Sequence, residues 1–367
     1  MKFIMSGHQF EISTLSPDID QAFIDLHEAF FGQHPYNWET FSRLSLEFFD
    51  RVPDDSAAHN KYFENFTIIW RNQLEAGRAS QAESIWEMAT QPALQWELLH
   101  PGRFIHKGTP FYFWGMTAIS RGDIDRGYLL MHQALAEDIR TTKQAVPNTP
   151  SLAFVSLNYS KVDQTSRNWL VLQAQFLDSL LPPYRAAHGK SLTLDDLAKR
   201  FLTTPPSTEA LFLFAYTLAR ILRLADSPSF SLASDFAGQL ELNLLFDAVL
   251  VLDAALLYKN PACHQFIDHA AFLSTAANAS LTKDGLKEVN GMFNADFDTT
   301  LASALDGTLT LSKGPVLSPL DLAIVVSYGL RNRAAHNISS SPTLWKQFNA
   351  VRQSVFDSLF LCVETLY

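Results

Sequence analysis

Along this chain apolar residues recur every three to four positions, the spacing that gathers them on one face of a helix; few stretches show the two-residue alternation of a strand. The pattern predicts an all-α protein. In the first half it marks helices over residues 18–31, 38–49, 60–76, 81–90, 111–121 and 124–140. From about residue 235 the apolar runs lengthen, and helices are expected over 239–257, 262–277, 283–305, 320–337 and 344–366. In the last of these Leu344, Phe348, Val351, Val355, Leu359, Val363 and Leu366 form one stripe. The helix before it has a clear start. Ser318 can cap the free N–H groups, Pro319 suits the first turn, and Asp321 suits the positive end of the helix dipole. Ser341 and Pro342 open the final helix in the same way.

Proline-containing breaks interrupt the pattern at Val146-Pro147-Asn148-Thr149-Pro150, Pro182-Pro183 and Thr204-Pro205-Pro206, which read as loops. The Ser-rich stretch Ser227 to Ser234 is the best domain boundary, dividing the chain into an α-helical region 1–230 and a compact helical bundle 235–367. Two stretches of the first region look alike, 66–77 with 78–88 and 111–122 with 123–135. Each joins an aromatic-rich helix to an amphipathic one through Gly77 or Gly122. Gly122-Asp123-Ile124-Asp125-Arg126-Gly127-Tyr128, with Ala134-Leu135 beyond, resembles the middle of a tetratricopeptide repeat. That resemblance implies a helical-hairpin surface able to hold a protein partner or regulator, although the two glycines are farther apart than the roughly 34 residues of that repeat. An irregular helical bundle is the competing reading. The aromatic run Phe111-Tyr112-Phe113-Trp114 reads as core packing.

The formal net charge of −10 argues against broad, non-specific binding of nucleic acid, so any such chemistry must rest on a small local basic site. The two cysteines, Cys263 and Cys362, stand outside any CxxC or Cys/His pattern and read as buried thiols on apolar helical faces. The N-terminus has too short an apolar run for a signal peptide. The longest apolar candidate for a span, Leu242 to Tyr258, contains Asp247 and Asp253. A cytoplasmic protein with no membrane contact, cofactor or metal is the expectation. No Walker loop, GxGxxG turn or GxSxG elbow is present. His264 and His269 stand at a poor metal-ligand spacing, and His100, Arg103 and His106 fall in a loop. Asp247 and Asp253 do not share a face, and each is a candidate partner for Arg331 or Arg333.

One run carries chemistry. Tyr328-Gly329-Leu330-Arg331-Asn332-Arg333-Ala334-Ala335-His336-Asn337 ends the fourth of the late helices. An Arg followed five positions later by a His is weak evidence in a chain with 11 histidines. Its context strengthens it: Asn directly after the Arg, Ala directly before the His, and a position near a helix end inside a C-terminal bundle. These residues resemble the HEPN domains of prokaryotic defence and toxin proteins, which carry an Arg, a polar residue (often Asn), a few intervening residues and a His. The match is Arg331, Asn332 and His336, and it bears on residues 235–367 only. The resemblance implies a helical bundle that dimerises, two motifs facing one cleft, and metal-independent cleavage of RNA by a toxin or anti-phage defence effector. Some relatives with degenerate motifs only bind partners; the motif here is intact.

Residue chemistry fits that expectation. At roughly 100° per residue, Asn332 lies within roughly 40° of His336, Arg333 sits beside it, and Arg331 falls roughly 140° away. Leu330 and Ala334 are expected to face the core, and Gly329 to allow close approach of another helix or a substrate backbone. His336 can move protons near neutrality. Arg331 can hold a phosphorane-like charge, Arg333 can bind substrate, and Asn332 can orient His336 or contact phosphate. Attack by the RNA 2′-hydroxyl would leave a 2′,3′-cyclic phosphate and a 5′-hydroxyl. Because Arg331 points away from His336, a composite site in a homodimer is expected, which would also concentrate positive charge on an acidic protein. The rivals are cations that merely complement a helix C-terminus, a non-catalytic interaction and dimerisation module, and a metal-dependent enzyme.

Overall fold

Two four-residue strands, β1 (Lys2–Met5) and β2 (His8–Glu11), pair antiparallel with Lys2 opposite Glu11. They are too short for a two-residue period to stand out in the sequence. All other regular structure among the described residues is helical. The computed structural model describes the chain apart from residues 6–7, 33, 143–148, 159–161, 163, 226–234, 313–315 and 337–340, and apart from the side chains of residues 3, 5, 8, 9, 164, 165, 225, 235–238, 335 and 336. It divides into two compact units, Met1–Phe154 with Ser160–Ser166, and Val155–Tyr159 with Arg167–Tyr367. The boundary expected at Ser227–Ser234 lies outside the described residues. The preceding helices from residue 167 onward group with the late bundle.

The first unit holds α1 (Pro17–Gly32), α2 (Trp38–Arg51), α3 (Ser56–Glu64), α4 (Thr67–Glu75), α5 (Ala79–Leu99), α6 (Gly108–Ser120) and α7 (Ile124–Glu137). A π-helical turn over Asp138–Thr142 continues α7, and α8 (Pro150–Val155) follows. Its core is aromatic: Phe23, Phe41, Phe49, Tyr62, Trp70, Trp86 and Trp96 are all fully buried. The two look-alike stretches are helical hairpins with matching ends. Gly77 and Gly122 both take positive φ, at 70° and 87°. The next residues, Arg78 and Asp123, return their N–H groups to Gln73 O and Ala118 O at 2.8 and 2.9 Å. This is the six-to-one closure that a left-handed glycine permits. Phe113 packs on both Trp70 and Trp86, at 4.8 and 5.6 Å between ring centres, so the aromatic run serves packing.

Where periodicity alone set helix ends, tertiary contacts moved them. The single helix expected over 60–76 is broken at Asn65, whose amide is held by the backbone of Ser13 at 2.7 and 3.1 Å. The helix expected to stop at residue 90 runs through Pro92 to Leu99, because buried Ala89, Ala93 and Trp96 keep its face on the core.

The second unit contains the body of α9 (Gln164–His188), α10 (Leu194–Leu197) with a π-helical turn over Ala198–Leu202, α11 (Thr208–Ala225), α12 (Asp235–Lys259) and α13 (Phe266–Ala276). Then come α14 (Lys283–Ala295), α15 (Phe297–Leu305), α16 (Pro319–His336), α17 (Pro342–Lys346) and α18 (Phe348–Leu366). Pro182-Pro183 were expected to form a loop and instead lie inside α9. The helix carries on because Leu180, Leu181 and Tyr184 are buried, and the Gln353 amide donates to the Leu180 carbonyl at 3.0 Å. The helix expected over 283–305 is two, because Asp296 turns extended and caps the second through Thr299 N–H at 3.0 Å. Among the described residues no helix is long and apolar enough to cross a membrane.

Helix α16 is central, packed against α12, α13, α14, α15 and α18. Its start is as read from the sequence, with more partners. The fully buried Asp321 carboxylate accepts from Ser318 N and Oγ at 2.9 and 2.7 Å, and from Ser280 N, Ser280 Oγ and Leu281 N at 2.9, 2.9 and 2.8 Å. A carboxylate with five donors fixes the helix N-terminus to the turn ahead of α14. That anchoring holds the other end of the same helix, where the candidate site lies.

Candidate functional site at the end of helix α16

The last turns of α16 form one wall of an open cavity of about 480 Å³. Tyr328, Gly329, Asn332 and Arg333 line it from α16, Asn290, Phe293 and Asn294 from α14, and Phe297 from the start of α15. Positions 328, 329, 332 and 333 share one helical face, as 3.6 residues per turn requires. Gly329 is there for packing: a Cβ at this position would overlap the Phe293 ring. The close approach expected at this glycine is therefore made by a side chain of the neighbouring helix.

Asn332 Nδ2 donates to Asn290 Oδ1 at 3.0 Å, which fixes its amide from α14. The Arg333 guanidinium lies 4.9 Å over the Phe297 ring, a cation–π contact. Arg331 is half-buried on another face; its Nε is buried, and none of the described residues accepts from it. Leu330 is fully buried, as expected, while Ala334 is only partly so. The backbone of His336 ends the helix one turn beyond Asn332 and Arg333. Its side chain, and all of Asn337, lie outside the described residues. The structure thus brings Asn332 and Arg333 together on one cavity and sets Arg331 apart.

The carboxylates considered as partners for these arginines are engaged elsewhere. Asp247 pairs with Arg220 at 3.1 Å, and burial raises its pKa. Asp253 bonds His269 Nδ1 at 2.5 Å, while His269 Nε2 meets the Cys263 carbonyl at 3.2 Å. His269 is thereby a buried packing residue. Cys263 sits partly exposed in the turn between α12 and α13, off the helical face expected for it. Cys362 is buried, and burial pushes its thiol up to about 12.

The first unit holds a second polar cluster that sequence reading missed. Lys107 is 2% exposed and pairs with both Glu97 and Glu137, the latter at 3.5 Å. Arg140 also pairs with Glu137, at 2.6 Å. Beside them His106 Nδ1 meets Thr141 Oγ1 at 2.5 Å, its Nε2 faces Asp138 Oδ1 at 3.4 Å, and its backbone N–H donates to His59 Nδ1 at 3.1 Å. Thr141 spends its own proton on the Glu137 carbonyl at 2.6 Å, so His106 Nδ1 must be the donor and Nε2 the acceptor. Burial pushes Asp138 up to about 6, helped by Glu137. It pulls His106 down to about 4, helped by His59, Lys107 and Arg140. Gly108 makes room: a Cβ there would collide with Asp138 Oδ1 and lie 2.7 Å from His106 Cε1. One signal was available, since Asp138 continues the apolar stripe Ile124, Tyr128, Met131, Leu135 of α7.

Among the described residues no three His, Cys, Asp or Glu side chains come together in a way that would hold a metal ion. No protein-family model, curated protein or solved structure matches the chain.

Proposed function

We propose that the chain is an endoribonuclease of the HEPN type, acting through Arg331, Asn332, Arg333 and His336. The observation that supports this most is the end of α16, where Asn332 and Arg333 line an open cavity and Arg331, with no carboxylate partner among the described residues, occupies the adjoining face. An arginine without an internal counter-charge in a protein of net charge −10 is suited to an anionic ligand. His336 takes the proton of the RNA 2′-hydroxyl as the 2′-oxygen bonds to phosphorus. The phosphorus–5′-oxygen bond breaks, and the imidazolium returns the proton to the leaving 5′-oxygen. The guanidinium of Arg331 holds the charge that builds on the phosphoryl oxygens. The products are a 2′,3′-cyclic phosphate and a 5′-hydroxyl.

Arg331 lies on a different face from Asn332 and Arg333, which fits a cleft completed by a second copy of the chain. A role as a toxin or defence effector belongs to the same proposal. The exposed Leu94, Leu98 and Leu99 at the end of α5 suit a protein regulator on the first unit. The test is incubation of the purified protein with mixed RNA in excess chelator, beside His336→Ala, with analysis of product ends. Cyclic-phosphate ends lost in the variant support the nuclease. Absence of cutting, or identical cutting by the variant, returns the bundle to a dimerisation and interaction module.

A further inference from the structure

The charge of this chain is unevenly placed. Of its 367 residues 38 are acidic, yet residues 322–356 hold no Asp or Glu at all. The same stretch holds Arg331, Arg333, Lys346 and Arg352. It covers most of α16, all of α17 and the first turns of α18. Its cations gather toward one end of the bundle. Ser327 of α16 and Ser358 of α18 meet through their hydroxyls at 3.0 Å, and the short connection through α17 makes the two helices antiparallel. At about 1.5 Å per residue, Arg333 lies about 9 Å beyond Ser327 and Arg352 about 9 Å before Ser358, so the two stand at the same height. Lys346 closes α17, just ahead of α18, and belongs to that end as well.

Two of these cations lack the partners found elsewhere in the second unit. Lys199, Arg220, Lys283 and Lys287 each pair with a carboxylate. Lys346 is exposed, and neither it nor Arg352 forms a hydrogen bond or ion pair among the described residues. The Arg352 guanidinium lies over two rings instead, 5.1 Å from Phe176 and 5.8 Å from Phe348. Its Nε is buried, and burial lowers its pKa. A half-buried cation without a counter-ion costs stability until an anion meets it. Two carboxylates at the start of α15 are already occupied. Asp298 accepts from Ser341 Oγ and Thr343 N at 2.7 and 2.8 Å, and Asp296 from Thr299 N and Oγ1 at 3.0 and 2.8 Å.

We propose that α17 and the first turn of α18 form a second contact surface for the RNA strand, on which Lys346 and Arg352 each take a backbone phosphate beyond the cavity. The contact is to the sugar–phosphate chain and reads no base. A local acid-free surface supplies the attraction that a net charge of −10 denies to the protein as a whole. That the strand is a substrate rests on the ribonuclease reading given above; the phosphate contacts do not.

The test uses the full chain and a labelled single-stranded RNA with 2′-O-methyl riboses. Such a strand has no free 2′-hydroxyl, so it is bound without being cut. Its affinity is measured by fluorescence anisotropy over a range of salt. On a single strand the logarithm of affinity falls with the logarithm of salt by roughly 0.7 for each phosphate contact. Lys346→Ala and Arg352→Gln should each reduce that slope by roughly 0.7, and together by roughly 1.4. Arg352→Lys keeps the charge and should leave the slope near the parent's. Lys346→Ala removes no hydrogen bond or ion pair, so it tests the surface even if Arg352→Gln fails to fold, which an unfolding midpoint identifies. No binding by the parent, or unchanged slopes in the folded variants, overturns the surface and leaves Arg352 to a carboxylate of a protein partner. Cleavage of ordinary RNA is followed in parallel. If the slopes fall as expected and no RNA is cut, the surface stands and the nuclease reading falls. If RNA is cut in a manner dependent on His336 while the slopes stay unchanged, the surface falls and the nuclease reading stands.

Discussion

The two polar sites of this molecule differ in what surrounds them. In the first unit Lys107, Glu97, Glu137, Arg140, Asp138 and His106 satisfy one another beneath an aromatic core, and Lys107 is 2% exposed. In the second unit the end of α16 offers three amides and an arginine around about 480 Å³ of open space. The first has strongly perturbed groups and mutual partners. The second has modest groups and room. A perturbed carboxylate marks a candidate site only when substrate can reach it, and buried ion networks perturb pKa as readily as active sites do. Access and unspent hydrogen-bonding capacity separate the two here, and they favour the second unit.

The largest effect that could break this comparison is on RNA cleavage. His336→Ala should lower it by about 10²–10⁴-fold, the usual contribution of a positioned acid–base group, with the unfolding midpoint unchanged. Lys107→Ala should do the reverse. It leaves half-buried Glu97 without its cation and buried Glu137 with Arg140 alone, and should cost up to about 3–5 kcal/mol of stability by denaturant titration. If Lys107→Ala stayed fully folded and lost cleavage, the roles assigned to the two units would have to be exchanged. Gly329→Ala should cost about 1–3 kcal/mol through overpacking against Phe293.

The smallest effect concerns protons. Asp138, raised to about 6, keeps a proton when folded that it loses when unfolded, so its contribution to stability fades as pH rises through 6. His106, lowered to about 4, lacks when folded a proton that the unfolded chain binds, so its contribution grows as pH rises from 4. Between about 4 and 6 the two slopes oppose each other and nearly cancel. Asp138→Asn should unmask the histidine, and its urea midpoint should fall more steeply than the parent's between pH 6 and pH 4.5. His59, whose pKa burial also lowers, contributes equally to both proteins. Parallel slopes would show that Asp138 does not hold its proton in the folded chain over this range.

Periodicity in the sequence carried the helical class, the cap of α16 at Ser318 and Asp321, and the placement of Leu330 in the core. It failed where single long-range hydrogen bonds decide the backbone, as at Asn65 and Asp296, and where packing overrides proline, as at Pro182-Pro183. Of the candidate site, the motif on α16 was legible because it is contiguous. Asn290, Asn294, Phe293 and Phe297 were not, since they arrive from α14 and α15 by tertiary packing. The Lys107 cluster was hidden for the same reason, being assembled from three separate stretches of chain.

The π-helical turn over Asp138–Thr142 bears on how this chain tolerates change in length. A turn with i to i+5 bonding holds one residue more than an α-turn. Removing the exposed Ile139 could restore a regular helix, yet it would swing Thr141 and Arg140 about 100° around the axis, away from His106 and Glu137. A deletion that improves the local backbone would therefore dismantle a buried network two turns wide. Length variation at this point of the chain should be selected against more strongly than substitution of Ile139 itself.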